Sequence, residues 1–246
     1  MQEELWFTAL LNHAFAGPVN AVMQALPAAF HPANPHAPIT NPVAMQVLVV
    51  CILLLFFVLI RSRLSVEKPG SLQHVAETLN EFVTSQSEGI IGEHSSRFIP
   101  FLSALFLLVL FGNLIGLIPS LESPTGAGAT TLGCAVVAFI YYNFHGLREQ
   151  GVLGYLKHFM GPIWWLAPLM FVIEVVSHLA RVMSLSIRLY ANIFAGDMVT
   201  MAFFTMIPLG IPVIFLLLHV AVSFLQAYIF MLLNAIYISL AVAHEH

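Results

Sequence analysis

From residue 162 to residue 207 the chain runs for 46 positions with four charged side chains, Glu174, Arg181, Arg188 and Asp197. No feature constrains the fold more. As a helix rising 1.5 Å per residue this stretch reaches about 69 Å, more than twice the roughly 30 Å hydrocarbon core of a bilayer. It must tilt strongly, lie partly across the membrane, or fold back as a hairpin. The rest of the chain is of the same kind, with 59% hydrophobic and 8% charged residues, where a soluble domain carries about 25% charged. Too little polar surface remains to meet water, so the expected fold is all-α and polytopic in a membrane. A net charge of −4 points to neither a nucleic-acid binder nor an acidic solvating tail. Cys51 and Cys134 both lie in apolar runs, without the spacing of a zinc site. No metal or other cofactor is expected.

Five apolar runs, four of them uncharged, are long or apolar enough to be read as spans: 43–60, 98–118, 130–146, 162–207 and 210–243, the last two long and strongly tilted. The whole chain, 1–246, reads as a single membrane domain. Its basic residues alternate between loops. Residues 1–60 and 119–129 have none, the 61–97 loop holds Arg61, Arg63, Lys68 and Arg97, and the 145–161 loop holds Arg148 and Lys157. Cytoplasmic loops carry the excess of Lys and Arg, so 1–42 is an external segment and 61–97 an inner loop. With five crossings the "AHEH" tail is cytoplasmic; a hairpin at 162–207 would put it outside. The N-terminus opens on Glu3 and Glu4 and lacks the basic region of a signal peptide. "HPANPH" at 31–36 reads as an ordinary polar outer loop. Within 61–97, Leu72, Val75, Ala76, Leu79, Phe82 and Val83 recur at helical spacing opposite Gln73, His74, Glu77, Asn80 and Glu81. That is the pattern of an amphipathic helix on the inner membrane surface.

Glu174, Arg181 and Arg188 are seven residues apart, two helical turns with a drift of about 20°. Adding i+3 and i+4 neighbours gives one stripe: Glu174, His178, Arg181, Leu185, Arg188, Asn192 and Ala195, flanked by Ser177 and Ser184. An Arg or acid at the bilayer centre costs about 2.5–3.5 kcal/mol on insertion scales. Such residues face protein or water, and they mark ion paths or structural ion pairs. On a helix, direct pairs need i±3 or i±4. For Arg188 those positions are Ser184, Leu185, Ala191 and Asn192. Asp197, nine residues on, is about 13.5 Å along the axis and about 180° around it. Arg188 therefore needs a counter-ion from another helix, and the sequence points to another polypeptide. In the final run His219, Ser223 and Gln226 share a face. Asn113, in "FGNLIGLIP", is either part of the same lining or an interhelical hydrogen bond. Asp197, Glu174 and His219 can relay protons, whereas Arg188 cannot, because it stays charged.

These residues carry a resemblance. "SLSIRLYANIFAGDM", the downstream "HVAVSFLQAYIFMLLNAIYISLA", "FGNLIGLIP", the "PITNP" before the first span, and Glu174 with Arg181 resemble subunit a of the membrane sector of F-type ATP synthases, over most of the chain. The resemblance implies a bacterial inner-membrane stator that conducts protons through two offset half-channels to a rotating ring of c subunits, each with a mid-membrane carboxylate. It implies peripheral-stalk b subunits as further partners. Arg188 falls on the family's essential arginine. Asp197, where many bacterial members carry Glu, would serve the proton path with His219, Asn192, Gln226 and Glu174. Ser184, Asn113, His178, Arg181 and Ser223 would supply a supporting polar lining. His178 occupies a position usually apolar in the family, which makes it a candidate extra proton group. No P-loop is present, so direct ATP binding is not expected, nor is catalysis by this chain alone. The alternative reading is a stand-alone proton-coupled secondary transporter, which predicts internal repeats and broken helices.

Overall fold

The computed structural model describes residues 4–25, 27, 34, 36–65, 70–92, 95–118, 120–160, 165–206 and 211–242. The 243–246 tail, most of the 31–36 segment and the starts of the 162–207 and 210–243 runs lie outside them. The described elements are all helical: α1 Trp6–Gln24, α2 Asn41–Ser62, α3 Ser71–Ile91, α4 Ile99–Ile115, α5 Gly128–Met160, α6 Ala167–Met206 and α7 Ile211–Val242, with short 3₁₀ turns at Ser95–Arg97 and Pro124–Gly126.

Sequence explains several of these limits. Pro42 stands in the first turn of α2, where a missing N–H costs nothing. Gly92, at φ 84°, ends α3, its backbone N–H donating to Glu88 O. α5 is longer than the 130–146 run and is broken by non-helical Gly151 at φ 70°, ψ 162°. Its first part, 128–150, is tied at the end by an Arg97–Glu149 ion pair and by Gln150 Nε2 donating to Ala241 O at 3.1 Å. α6 runs through 40 residues without a break, about 60 Å. Between residues 167 and 206 the chain is thus one helix and not a hairpin. α2, α6 and α7 are each long and apolar enough to cross a membrane, and α4 is a shorter apolar helix.

α4 and α7 pack together at the centre, with α2 and α3 on one side and α5 and α6 on the other. α4 is the most enclosed helix, with Leu102, Phe106, Val109 and Asn113 fully buried. The outer faces are apolar: Leu54, Val58, Ile140, Val172, Leu179, Ile214 and Leu217 are all largely exposed. A belt of this extent is a lipid-facing surface. α3 departs from a helix that only floors the bundle. Leu72 and Val75 are exposed while Val83 and Ser87 are buried. Phe82 packs against Phe106, Phe224 and Tyr228 at ring separations of 5.5–6.1 Å. Tyr228 Oη donates to Gln86 Oε1 and Ser239 Oγ to Ile90 O. Its second half is therefore clamped to α4 and α7. α1 was not foreseen within the 1–42 segment. Asn12 fixes it by donating to Ile39 O and accepting from Ile39 N.

Between α4 and α5 the chain folds inward. Ser123 Oγ donates to Gly112 O at 2.9 Å, and the turn closes on the end of α4. A Cβ at Gly116 would lie 2.7 Å from Ser123 Cβ and 3.0 Å from its backbone nitrogen, whereas one at Gly133 would meet open space. Overpacking of this kind costs about 1–3 kcal/mol. Gly116→Ala is therefore expected to lower the thermal midpoint in detergent by several degrees, with Gly133→Ala unchanged. Equal midpoints for the two variants would count against this packing.

Candidate functional site

α6 has two unlike faces. His178, Leu185, Ser186, Leu189 and Ile193 are buried against the bundle, with Thr131 Oγ1 and Ser186 Oγ 3.2 Å apart across α5 and α6. Arg188 lies on the flank of the opposite face, exposed, among exposed Ser184, Ile187, Ala191 and Ala195. Among the described residues no carboxylate lies within ion-pair distance of Arg188. The stripe read from spacing is thus divided. Glu174, His178 and Arg181 turn toward α5 and α7, Leu185 is core, Asn192 is half-buried, and Arg188 with Ser184 faces outward. The drift of a seven-residue repeat on a 3.6-residue helix accounts for this division.

α7 returns antiparallel to α6, since His219 meets Gly196 and Tyr237 meets Arg181. By that register Arg188 sits between those two levels, within about one turn of Gln226. Toward the C-terminal end of α6, His219 Nδ1 and Asp197 Oδ1 are 3.9 Å apart. That is ion-pair range and too long for a direct hydrogen bond. The imidazole is buried and the carboxylate about half exposed. A Cβ on Gly196 would come within 3.0 Å of His219 Cε1 and 3.1 Å of Nδ1, so glycine lets the ring approach α6 closely and a larger residue would push it back. Gly196 was missed in the sequence; its one signal is a small residue beside an intramembrane acid, the kind that lets helices approach. Gly126 of the inward turn comes 3.9 Å from Asp197 Oδ2, measured from the position its Cβ would take.

Three side chains along one face of α7 carry buried polar atoms without a protein partner among the described residues: His219 Nε2, Ser223 Oγ and Gln226 Nε2. Each such atom costs about 1–3 kcal/mol if left dry, and a polar row of this kind is where ordered water belongs. Asn113 is different. It accepts from Thr125 Oγ1 at 2.6 Å and its Nδ2 reaches Ser223 O at 3.5 Å. Its side chain ties α4, the inward turn and α7 together, so the interhelical hydrogen bond is the role the geometry gives it.

Toward the N-terminal end of α6 lies a second cluster. His178 Nδ1 is 2.8 Å from Tyr142 Oη on α5, and its Nε2 is 3.4 Å from Glu174 Oε1. Arg181 approaches the same carboxylate at 3.9 Å and stands 5.4 Å from the centre of the Tyr237 ring. Glu174 is therefore paired on its own helix, unlike Arg188. Tyr142 was not singled out in the sequence, because nothing local reveals that it faces His178. Two titratable clusters thus lie on either side of a fixed, unpaired cation, one around Asp197 and His219, the other around Glu174 and His178. No group of three or more His, Cys, Asp or Glu suited to a metal occurs among the described residues.

A family model described as ATP synthase A chain matches residues 43–239. The chain is 54% identical to the ATP synthase subunit a of Koribacter versatilis over the whole of both proteins. It is 49% identical to that of Solibacter usitatus over 85% of this chain and 90% of the relative. It is 44% identical to that of Bdellovibrio bacteriovorus over 72% and 77%. The chain therefore belongs to the family of ATP synthase subunit a.

Proposed function

We infer that, within the membrane sector of the ATP synthase, this chain walls two offset proton half-channels separated by Arg188, against a rotating c-ring. As a member of its family it is a non-catalytic, integral membrane subunit of a proton-translocating complex. The observation that carries the finer reading is Arg188: a permanent cation on the free face of α6, with no carboxylate in reach among the described residues. Leaving a guanidinium unpaired in hydrocarbon is costly. A carboxylate presented by a neighbouring polypeptide removes that cost. Because the neighbour's acid is ionised only after giving up its proton, Arg188 would hold it between unloading and reloading and block a direct leak.

On this reading His219, Ser223 and Gln226 line a hydrated route that Asp197 joins at its half-exposed end, with Asn192 beside it. Glu174 serves the other route, with Ser184 near the barrier. The positive loops favour an external N-terminus and a cytoplasmic 61–97 loop in a bacterial inner membrane, with α2, α4, α5, α6 and α7 as the five crossings. Peripheral-stalk b subunits would hold the chain against the torque of the ring. The comparisons lend the stand-alone transporter alternative no support.

Three outcomes are expected in membrane vesicles carrying the assembled complex. Arg188→Ala abolishes ATP-driven proton pumping while ATP hydrolysis by the complex remains measurable; near-normal pumping would sink the proposal. Asp197→Asn and His219→Leu each lower passive proton flux at least tenfold, by removing a group that exchanges protons; wild-type flux in both would remove them from the path. Gly196→Ala displaces the His219 ring and lowers the same flux severalfold, and a second change His219→Ala relieves the clash without restoring flux. An unaltered Gly196→Ala complex would show that the close approach has no bearing on conduction.

A further inference from the structure

Glu174 is not a lone carboxylate. Its Oε1 faces Nε2 of His178, and the other nitrogen of that ring faces the hydroxyl of Tyr142. His178 and Tyr142 are both buried, with 7% and 2% of their surface exposed, while Glu174 is half-buried. The ring is held on a second side by Phe139, edge-on at 6.0 Å, and Tyr142 stacks over it at 5.8 Å. A tyrosine hydroxyl, weakly acidic, donates to Nδ1 when the imidazole is neutral. That fixes the tautomer with the proton on Nε2, aimed at Glu174. Among the described residues, the groups facing the pair from the packed elements are Tyr142 from α5, Arg181 from α6 itself, and Tyr237 from α7, whose ring lies against Arg181. Arg181 keeps a positive charge beside the carboxylate without being able to exchange a proton.

We propose that His178 and Glu174 share one exchangeable proton and act together as the proton-transfer group of the half-channel at the N-terminal end of α6, with Tyr142 as the positioning residue that aims the imidazole. This rests on the reading of α6 as the wall of a proton path and adds to it a group and an orienting partner. A proton arriving at the pair binds the Glu174 carboxylate, or Nδ1 of the imidazole as the Tyr142 hydroxyl turns from donating to accepting. It leaves from whichever member faces water, and His178 and Glu174 return to one proton on Nε2 and a carboxylate. No other atom changes hands. With the two groups 3.4 Å apart, loss of either member is expected to change how conduction responds to pH.

The test uses vesicles with the membrane sector of the complex exposed, a potassium diffusion potential as driving force, and passive proton flux read from pH 5.5 to 9. The wild type is expected to show an inflection within that range. His178→Leu removes that inflection and lowers flux at pH 7 about threefold or more. Tyr142→Phe, which deletes one oxygen and keeps the ring packing, shifts the inflection. His178→Gln can accept the Tyr142 hydrogen bond but cannot carry a proton, so it behaves like His178→Leu. The proposal is overturned if His178→Gln restores the wild-type profile, since a structural hydrogen bond would then suffice. It is equally overturned if all three variants merely scale the wild-type curve. Failure of the broader reading shows itself separately, as coupled pumping by the Arg188→Ala complex; failure of this inference leaves that variant uncoupled and the pH profiles of the wild type and the other three identical in shape.

Discussion

A guanidinium keeps its charge at any workable pH, and at membrane depth it has no bulk water to share that charge with. Arg188 imposes this condition on the rest of the molecule. Its helix supplies no acid at the positions that could reach it, and the bundle brings none to it among the described residues. The acids that are present sit elsewhere and have their own partners, Glu174 with His178 and Arg181, Asp197 with His219. A buried ion pair inside the chain would have satisfied Arg188 at the expense of an exchangeable partner. What the fold provides is a cation on an open face, flanked by small residues that let another helix come close.

The placement of that face depends on residues far from it. α4 and α7 form a packed centre around Phe106, Leu102, Phe230 and Met231, and the inward turn at Pro124–Gly126 is pinned to it through Asn113 and Gly112. α5 then fixes one side of α6 through Thr131, Tyr142 and the buried Leu185 and Leu189. The side carrying Ser184, Arg188 and Ala191 is left uncovered. Along α7 the same packing encloses His219 Nε2, Ser223 Oγ and Gln226 Nε2, which have no protein partner among the described residues. On the proposed function, core packing and proton conduction are in this way built from the two faces of the same two helices.

Much of this was legible in the sequence, and the rest has a common reason for being hidden. The apolar runs, the long α6, and the isolation of Arg188 follow from composition and helical spacing, which are local. The amphipathic period of α3 was readable too, but not that its second half would be clamped by Gln86, Tyr228 and Ser239. The seven-residue ladder suggested one continuous polar stripe; helical drift and the neighbours on α5 and α7 divide it. Tyr142, Gly196 and Thr125 gave almost no signal, because each acts on a residue at least twelve positions away: His178, His219 and Asn113. Such contacts are set by packing, and a single sequence does not display them. Where spacing left Asn113 open between two roles, the geometry shows its hydrogen bonds to Thr125 and Ser223.

The central claim is that the counter-ion of Arg188 comes from another polypeptide approaching the open face of α6. It is tested most directly by disulfide cross-linking in the assembled complex, after replacing Cys51 and Cys134 by serine. One cysteine is placed at Ala191 or, for comparison, at buried Ile193; the other is placed beside the mid-membrane carboxylate of the proposed ring partner. The account predicts efficient cross-linking from Ala191→Cys and none from Ile193→Cys. Cross-linking from neither position, or equally from both, would contradict it.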